Sequence, residues 1–99
     1  MEEVIVTPNV CVYPDEAEAN MSIEVELPGM DKENINFNIY ENGFYLIAKK
    51  KGLKYMASYA FATPVIPEKA LAKYSNGQLF VNVPYKKAFF DKGVKVMIE

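Results

Sequence analysis

The sequence contains no histidine, no arginine and a single cysteine. Without histidine, the side chain that most often serves as general base and as metal ligand is missing. One cysteine and no histidine cannot build the usual zinc sites. A lone Cys11 also excludes an intrachain disulfide, which suits a reducing compartment. All eleven cations are lysines, so the planar fork that reads phosphates and bases is absent and a nucleic-acid partner is disfavoured. The formal net charge of −2 is too small to point to a charged polymer. There is no Asp-x-Asp-x-Asp-Gly calcium loop and no phosphate-cradling glycine run, since the five glycines are scattered near turns or breaks. No apolar stretch approaches the ~20 residues needed to cross a membrane, and the start Met1-Glu2-Glu3 lacks the basic, apolar character of a signal peptide. The expectation is a cytoplasmic protein that uses no metal or other cofactor, contacts neither membrane nor nucleic acid, and is not an enzyme.

What the sequence does carry is a period of two. Met21, Ile23, Val25 and Leu27 alternate with Ser22, Glu24 and Glu26, the pattern of a strand with one wet face. Pro28-Gly29 stops it. Ile35, Phe37 and Ile39 alternate with Asn36 and Asn38. Asn42-Gly43 favours the positive φ angles of a tight hairpin and leads into Phe44–Ala48, so these two strands are expected to pair antiparallel. After the solvated Lys49-Lys50-Lys51-Gly52, the apolar row Tyr55, Ala57, Tyr59, Phe61 marks another strand. Pro64 and Pro67 interrupt the ladder around Val65-Ile66. A short strand is expected from Ala70 to Tyr74, a turn at Ser75-Asn76-Gly77, and a strand through Leu79, Val81 and Val83 that ends at Pro84. Val4–Val6 and Val10–Tyr13 read as short strands, and Asp15–Asn20 as a loop because no apolar face repeats at helical spacing.

The chain of 99 residues is one domain's worth. Seven or eight short strands without a long helix indicate an all-β, immunoglobulin-like antiparallel β-sandwich, with a small closed barrel as the alternative. The expected organisation is a short N-terminal arm over 1–8, a sandwich over 9–84 and a C-terminal extension over 85–99. Cys11, between Val10 and Val12, is expected to be a small buried residue. The seven tyrosines are expected at the sandwich margins, ring inward and hydroxyl outward.

Three segments in order resemble the α-crystallin domain of the small heat shock proteins. They are Met21–Ile35 with its Leu27-Pro28-Gly29, Glu41–Ala48 with its Asn42-Gly43, and Ala70–Pro84, which is similar to the family's Ala-x-Tyr-x-Asn-Gly-x-Leu signature. The resemblance implies an ATP-independent chaperone, a holdase that binds unfolded client proteins and assembles as a homo-oligomer. It further implies that Val94-Lys95-Val96 acts as the family's C-terminal docking motif. Val94 and Val96 would point the same way in a strand, about 7 Å apart. The nine residues between Pro84 and Val94 can span about 30 Å. The receiving groove, by the same resemblance, lies between the strand of Phe37 and Ile39 and that of Ala70 and Ala72; the plainer reading is that these four face the core. Two departures stand out. Only Lys49–Lys54 occupy the place of a long loop that swaps a strand into a partner, and Tyr59 stands where the family has an arginine. A co-chaperone adaptor of the CS-domain kind, binding one dedicated partner, is the alternative function. An immunoglobulin-like binding module is a third.

Overall fold

The computed structural model describes residues 3–17, 19–86 and 94–99. Among the described residues eight strands form two four-stranded sheets. They are β1 (Val4–Val6), β2 (Val10–Pro14), β3 (Asn20–Glu26), β4 (Ile35–Tyr40), β5 (Gly43–Lys50), β6 (Leu53–Ala60), β7 (Leu71–Ser75) and β8 (Gln78–Pro84). One sheet runs β1-β6-β5-β4, the other β2-β3-β8-β7. The sandwich expected from the alternation is therefore present, and among the described residues the sheets stay separate and do not close into a barrel.

The period of two sets which residues meet. Register pairs Ile23 with Val81 and Val25 with Leu79 across β3 and β8, and Leu46 with Ala57 across β5 and β6. Because successive residues face opposite sides of a sheet, whole rows turn inward together. Met21, Ile23, Val25, Leu79, Val81 and Val83 from one sheet, with Phe44, Leu46 and Ala48 from the other, are buried in a single core. Each fully buried aliphatic side chain contributes roughly 1.5–3 kcal/mol relative to exposure. Val65, between the two prolines, is buried as well and bridges antiparallel to Tyr85.

Three expectations are corrected. The strand pairs are antiparallel except one: β1 runs parallel to β6, with Val4 beside Leu53 and Val6 beside Tyr55. Cys11 is exposed, because the alternation that turns Val10 and Val12 toward the core points their middle neighbour out. Tyr40 and Tyr45 lie outward too, exposed and stacked at 6.1 Å between ring centroids.

The β4–β5 hairpin forms with Tyr40 opposite Gly43, but neither Asn42 nor Gly43 has positive φ. Gly43 is required for another reason. A Cβ there would stand 2.5 Å from the backbone oxygen of Tyr59 in β6. The positive φ angles fall at the second Asn-Gly pair, Asn76 (φ 50°) and Gly77 (φ 79°), in the two-residue turn between β7 and β8.

Replacing Gly43 with Ala is expected to push β5 and β6 apart and cost about 1–3 kcal/mol, the range for overpacking a tight contact. Urea unfolding of Gly43→Ala beside the parent chain measures this, and an unchanged midpoint would contradict the close approach.

Candidate functional site

A β-sandwich covers the inner rows of its central strands from both sides, but its edge strands have a neighbour on one side only. Here β4 ends one sheet and β7 ends the other, and both edges lie along the same margin. Between them runs a groove of about 620 Å³. Ile35 and Phe37 of β4 face Ala72 and Tyr74 of β7 and Leu79 of β8 across it, and Lys32, Glu33 and Lys73 complete its lining. Those three charged residues are exposed, whereas Ile35, Phe37 and Tyr74 are half-buried and Leu79 is buried. The slot is therefore apolar within and charged where it meets water.

Phe37 ties the slot to the core. Its ring centroid is 5.0 Å from that of buried Phe44, which in turn stacks on Tyr59 at 5.8 Å and meets Phe61 at 6.1 Å. Aromatic pairs at such spacings contribute beyond their buried area, so Phe37 is held as part of a four-ring row.

Tyr74 holds the opposite wall. Its hydroxyl donates to the Leu27 carbonyl at 2.5 Å and accepts from the Met30 N–H at 3.1 Å. It thus fastens β7 to both ends of Leu27-Pro28-Gly29-Met30, where Gly29 has φ 70°. The Leu27 N–H donates to the Gly77 carbonyl at 2.8 Å, tying the same turn to the β7–β8 hairpin.

Of the four residues assigned to the groove from sequence, Phe37 and Ala72 line it. Ile39 and Ala70 are half-buried and pack against the core instead. Ala70 ends a short 3₁₀ turn, Pro67–Lys69, and precedes β7 rather than belonging to it. Ile35, Tyr74 and Leu79 were not singled out as groove residues. The signal was available: Ile35 continues the Phe37 row and Tyr74 the Ala72 row at the strand period of two. In the C-terminal segment, Val94 is 92% and Val96 76% exposed, and Met97 and Ile98 are exposed too. Neither valine has a place in this chain's own core, and the residues joining them to the sandwich include 87–93, outside the described residues.

Charge chemistry is sparse. The Tyr13 hydroxyl donates to the Glu24 carboxylate, and that hydrogen bond raises its pKa above the usual tyrosine value. Partial desolvation and the neighbouring Tyr45 raise that of Tyr40. Both lie away from the β4/β7 slot. Among the described residues no group of three or more His, Cys, Asp or Glu side chains is placed to hold a metal ion, and no helix is long and apolar enough to cross a membrane.

Solved structures share this arrangement of strands. Heat shock protein 16.0 from Schizosaccharomyces pombe superposes with a TM-score of 0.72, over 95% of this chain and 99% of that one, at 18% identity. This chain has the small heat shock protein fold. A variant of hsp14.1 from Sulfolobus solfatataricus gives 0.71 at 20% identity, covering 83% and 78% of the two chains. A small heat-shock protein from Xylella fastidiosa gives 0.69 at 14% identity, covering 94% and 98%. No protein-family model and no curated protein matches the sequence. The likeness to the small heat shock protein fold is thus carried by the geometry of the superposed chains.

Tyr74→Phe is expected to cost about 1–2 kcal/mol, because it leaves the Leu27 carbonyl and the Met30 N–H without their shared partner. Chemical denaturation gives the size. A variant as stable as the parent would show that the hydroxyl does not fasten the wall.

Proposed function

We propose that the protein is an ATP-independent holdase of the small heat shock protein type. It binds partly unfolded chains and assembles with copies of itself through Val94 and Val96 docking in the β4/β7 groove of a neighbour. The observation that carries this reading is the slot: an apolar interior between two strand edges whose backbones, among the described residues, have no strand partner on that side. A partly unfolded protein exposes the complementary features, apolar side chains and unpaired strand backbone. An extended segment laid along an edge gains main-chain hydrogen bonds, and its alternate side chains enter the pocket. No nucleotide or metal enters this scheme, since capture and release are both binding equilibria.

The C-terminal segment supplies a segment of that form. Val94 and Val96 in extended chain point one way, about 7 Å apart, with Lys95 directed oppositely. Docked in a neighbour, the tail would occupy the surface that clients need, so assembly and capture compete. The likeness to solved small heat shock proteins supports the general class.

The test uses three versions of the chain: the parent, one ending at Gly93, and Ala72→Lys. Ala72 is exposed in the groove wall, so the lysine is expected to obstruct docking without disturbing the core. Native mass is expected to fall for both variants relative to the parent. Suppression of thermal aggregation is expected for several unrelated model clients in the absence of nucleotide, with Ala72→Lys at least several-fold weaker. Unchanged mass and unchanged protection in both variants would contradict tail docking. Protection of no unrelated client, with tight binding to one partner, would replace the holdase by an adaptor.

A further inference from the structure

The sandwich has a second open margin, on the side away from the β4/β7 groove, where β2 ends its sheet. We infer that β2 is a symmetric docking edge for β2 of a second copy of this chain, which joins the two sheets into one continuous antiparallel sheet of eight strands centred on Cys11.

The backbone pattern shows which groups are available. The Glu26 N–H donates to the Asn9 carbonyl, and the Asp15 N–H donates to the Asn20 carbonyl. With Val10 opposite Val25 and Val12 opposite Ile23, the alternation of antiparallel pairing directs the backbone of Asn9, Cys11, Tyr13 and Asp15 toward β3. The N–H and C=O groups of Val10 and Val12 then point away from the sheet, and among the described residues nothing pairs with them. On either side, at the next positions of the same parity, stand Pro8, which is buried, and half-buried Pro14, neither of which has an N–H to offer.

These positions are symmetric about Cys11. Under a two-fold axis at that residue, Val10 meets Val12 of the second copy and Val12 meets its Val10, exchanging four main-chain hydrogen bonds. The ladder stops at each end where Pro8 and Pro14 supply no donor. A different peptide would not be matched at both ends in this way. The segment from Pro8 to Pro14 has no charged residue, although edge strands are commonly protected by charge; β7, by contrast, carries Lys73. The carboxylates around the Pro8 to Pro14 segment are already engaged: Glu24 accepts from the Tyr13 hydroxyl, Glu26 from the Asn9 side-chain amide at 2.9 Å, and Asp15, just past Pro14, from the Asn20 side-chain amide at 3.0 Å. On the inner side, Val10 and Val12 are only partly buried, and a second copy would cover them further.

The contact is separate from the tail groove, and its geometry gives a register that can be read chemically. Cys11 opposite Cys11 of the second copy is a non-hydrogen-bonded pair with Cα atoms about 4.5 Å apart, within the range a disulfide spans. Asn9 lies opposite Tyr13 of the second copy in an equivalent pair, whereas the two copies of Asn9 are about 13 Å apart, four residues along the strand.

The parent chain of 99 residues is oxidised with dilute diamide, which takes one hydrogen from each thiol of a pair as the disulfide forms. Two variants of the same chain, Asn9→Cys with Cys11→Ser and Tyr13→Cys with Cys11→Ser, are oxidised separately and as a mixture. The parent is expected to give a disulfide dimer. The mixture is expected to link at least tenfold faster than either variant alone. Absence of a parent dimer, or equal linking by the separate variants and the mixture, would overturn the inference. Deleting Val94 to Glu99 is expected to leave the linking rates unchanged, which separates this contact from the tail-docking proposal.

Discussion

A residue in a β-strand can show its side chain to only one face of the sheet, and the architecture follows from that restriction. In β3, β5 and β8 the inward rows meet neighbours on both sides and an opposing sheet above, and they are buried. In β4 and β7 the same alternation turns Ile35, Phe37, Ala72 and Tyr74 inward, but among the described residues each strand lacks a neighbour along one edge. Their rows are apolar because the fold needs them so, and they are only partly covered because the sheets end there. The groove is therefore a consequence of how the core is built, with no separate pocket-forming element.

Its dimensions depend on what keeps the two edges in place. On one side Phe37 is packed into the aromatic row of Phe44, Tyr59 and Phe61. On the other, Tyr74 bonds to two backbone groups of the turn that ends β3, and the same turn bonds to Gly77. Leu27-Pro28-Gly29 and Asn76-Gly77 thus act together. The first ends a central strand and the second reverses an edge strand, and a tyrosine between them fixes the wall of the slot.

Much of this was legible because the strands of this chain obey a period of two with one wet face. Met21–Leu27, Ile35–Ile39 and Leu79–Val83 show their burial directly in their spelling. What was not legible depends on partners distant in sequence. Gly43 reads as a turn residue, yet the decisive contact is with the backbone of Tyr59, which no local pattern reveals. The parallel pairing of β1 joins Val4–Val6 to a strand some fifty residues later, beyond the reach of alternation. Cys11 was misplaced because a small apolar residue suggests burial, whereas the parity of its neighbours dictates exposure. Ile39 and Ala70 belong to the right rows or their approaches, but they sit where the sandwich is closed, and only the structure locates where the margin opens.

The functional account rests on a partly covered row receiving an extended segment from another molecule. Photo-crosslinking measures this most directly. A benzophenone side chain replaces Met97 in isotopically heavy chains, which are mixed with light chains and irradiated, and adducts between heavy and light peptides are mapped by mass spectrometry. The account predicts adducts concentrated on β4 and β7 of the other chain, at and around Phe37 and Ala72. Adducts confined to the same chain, or spread evenly over the sandwich with β4 and β7 not favoured, would contradict it.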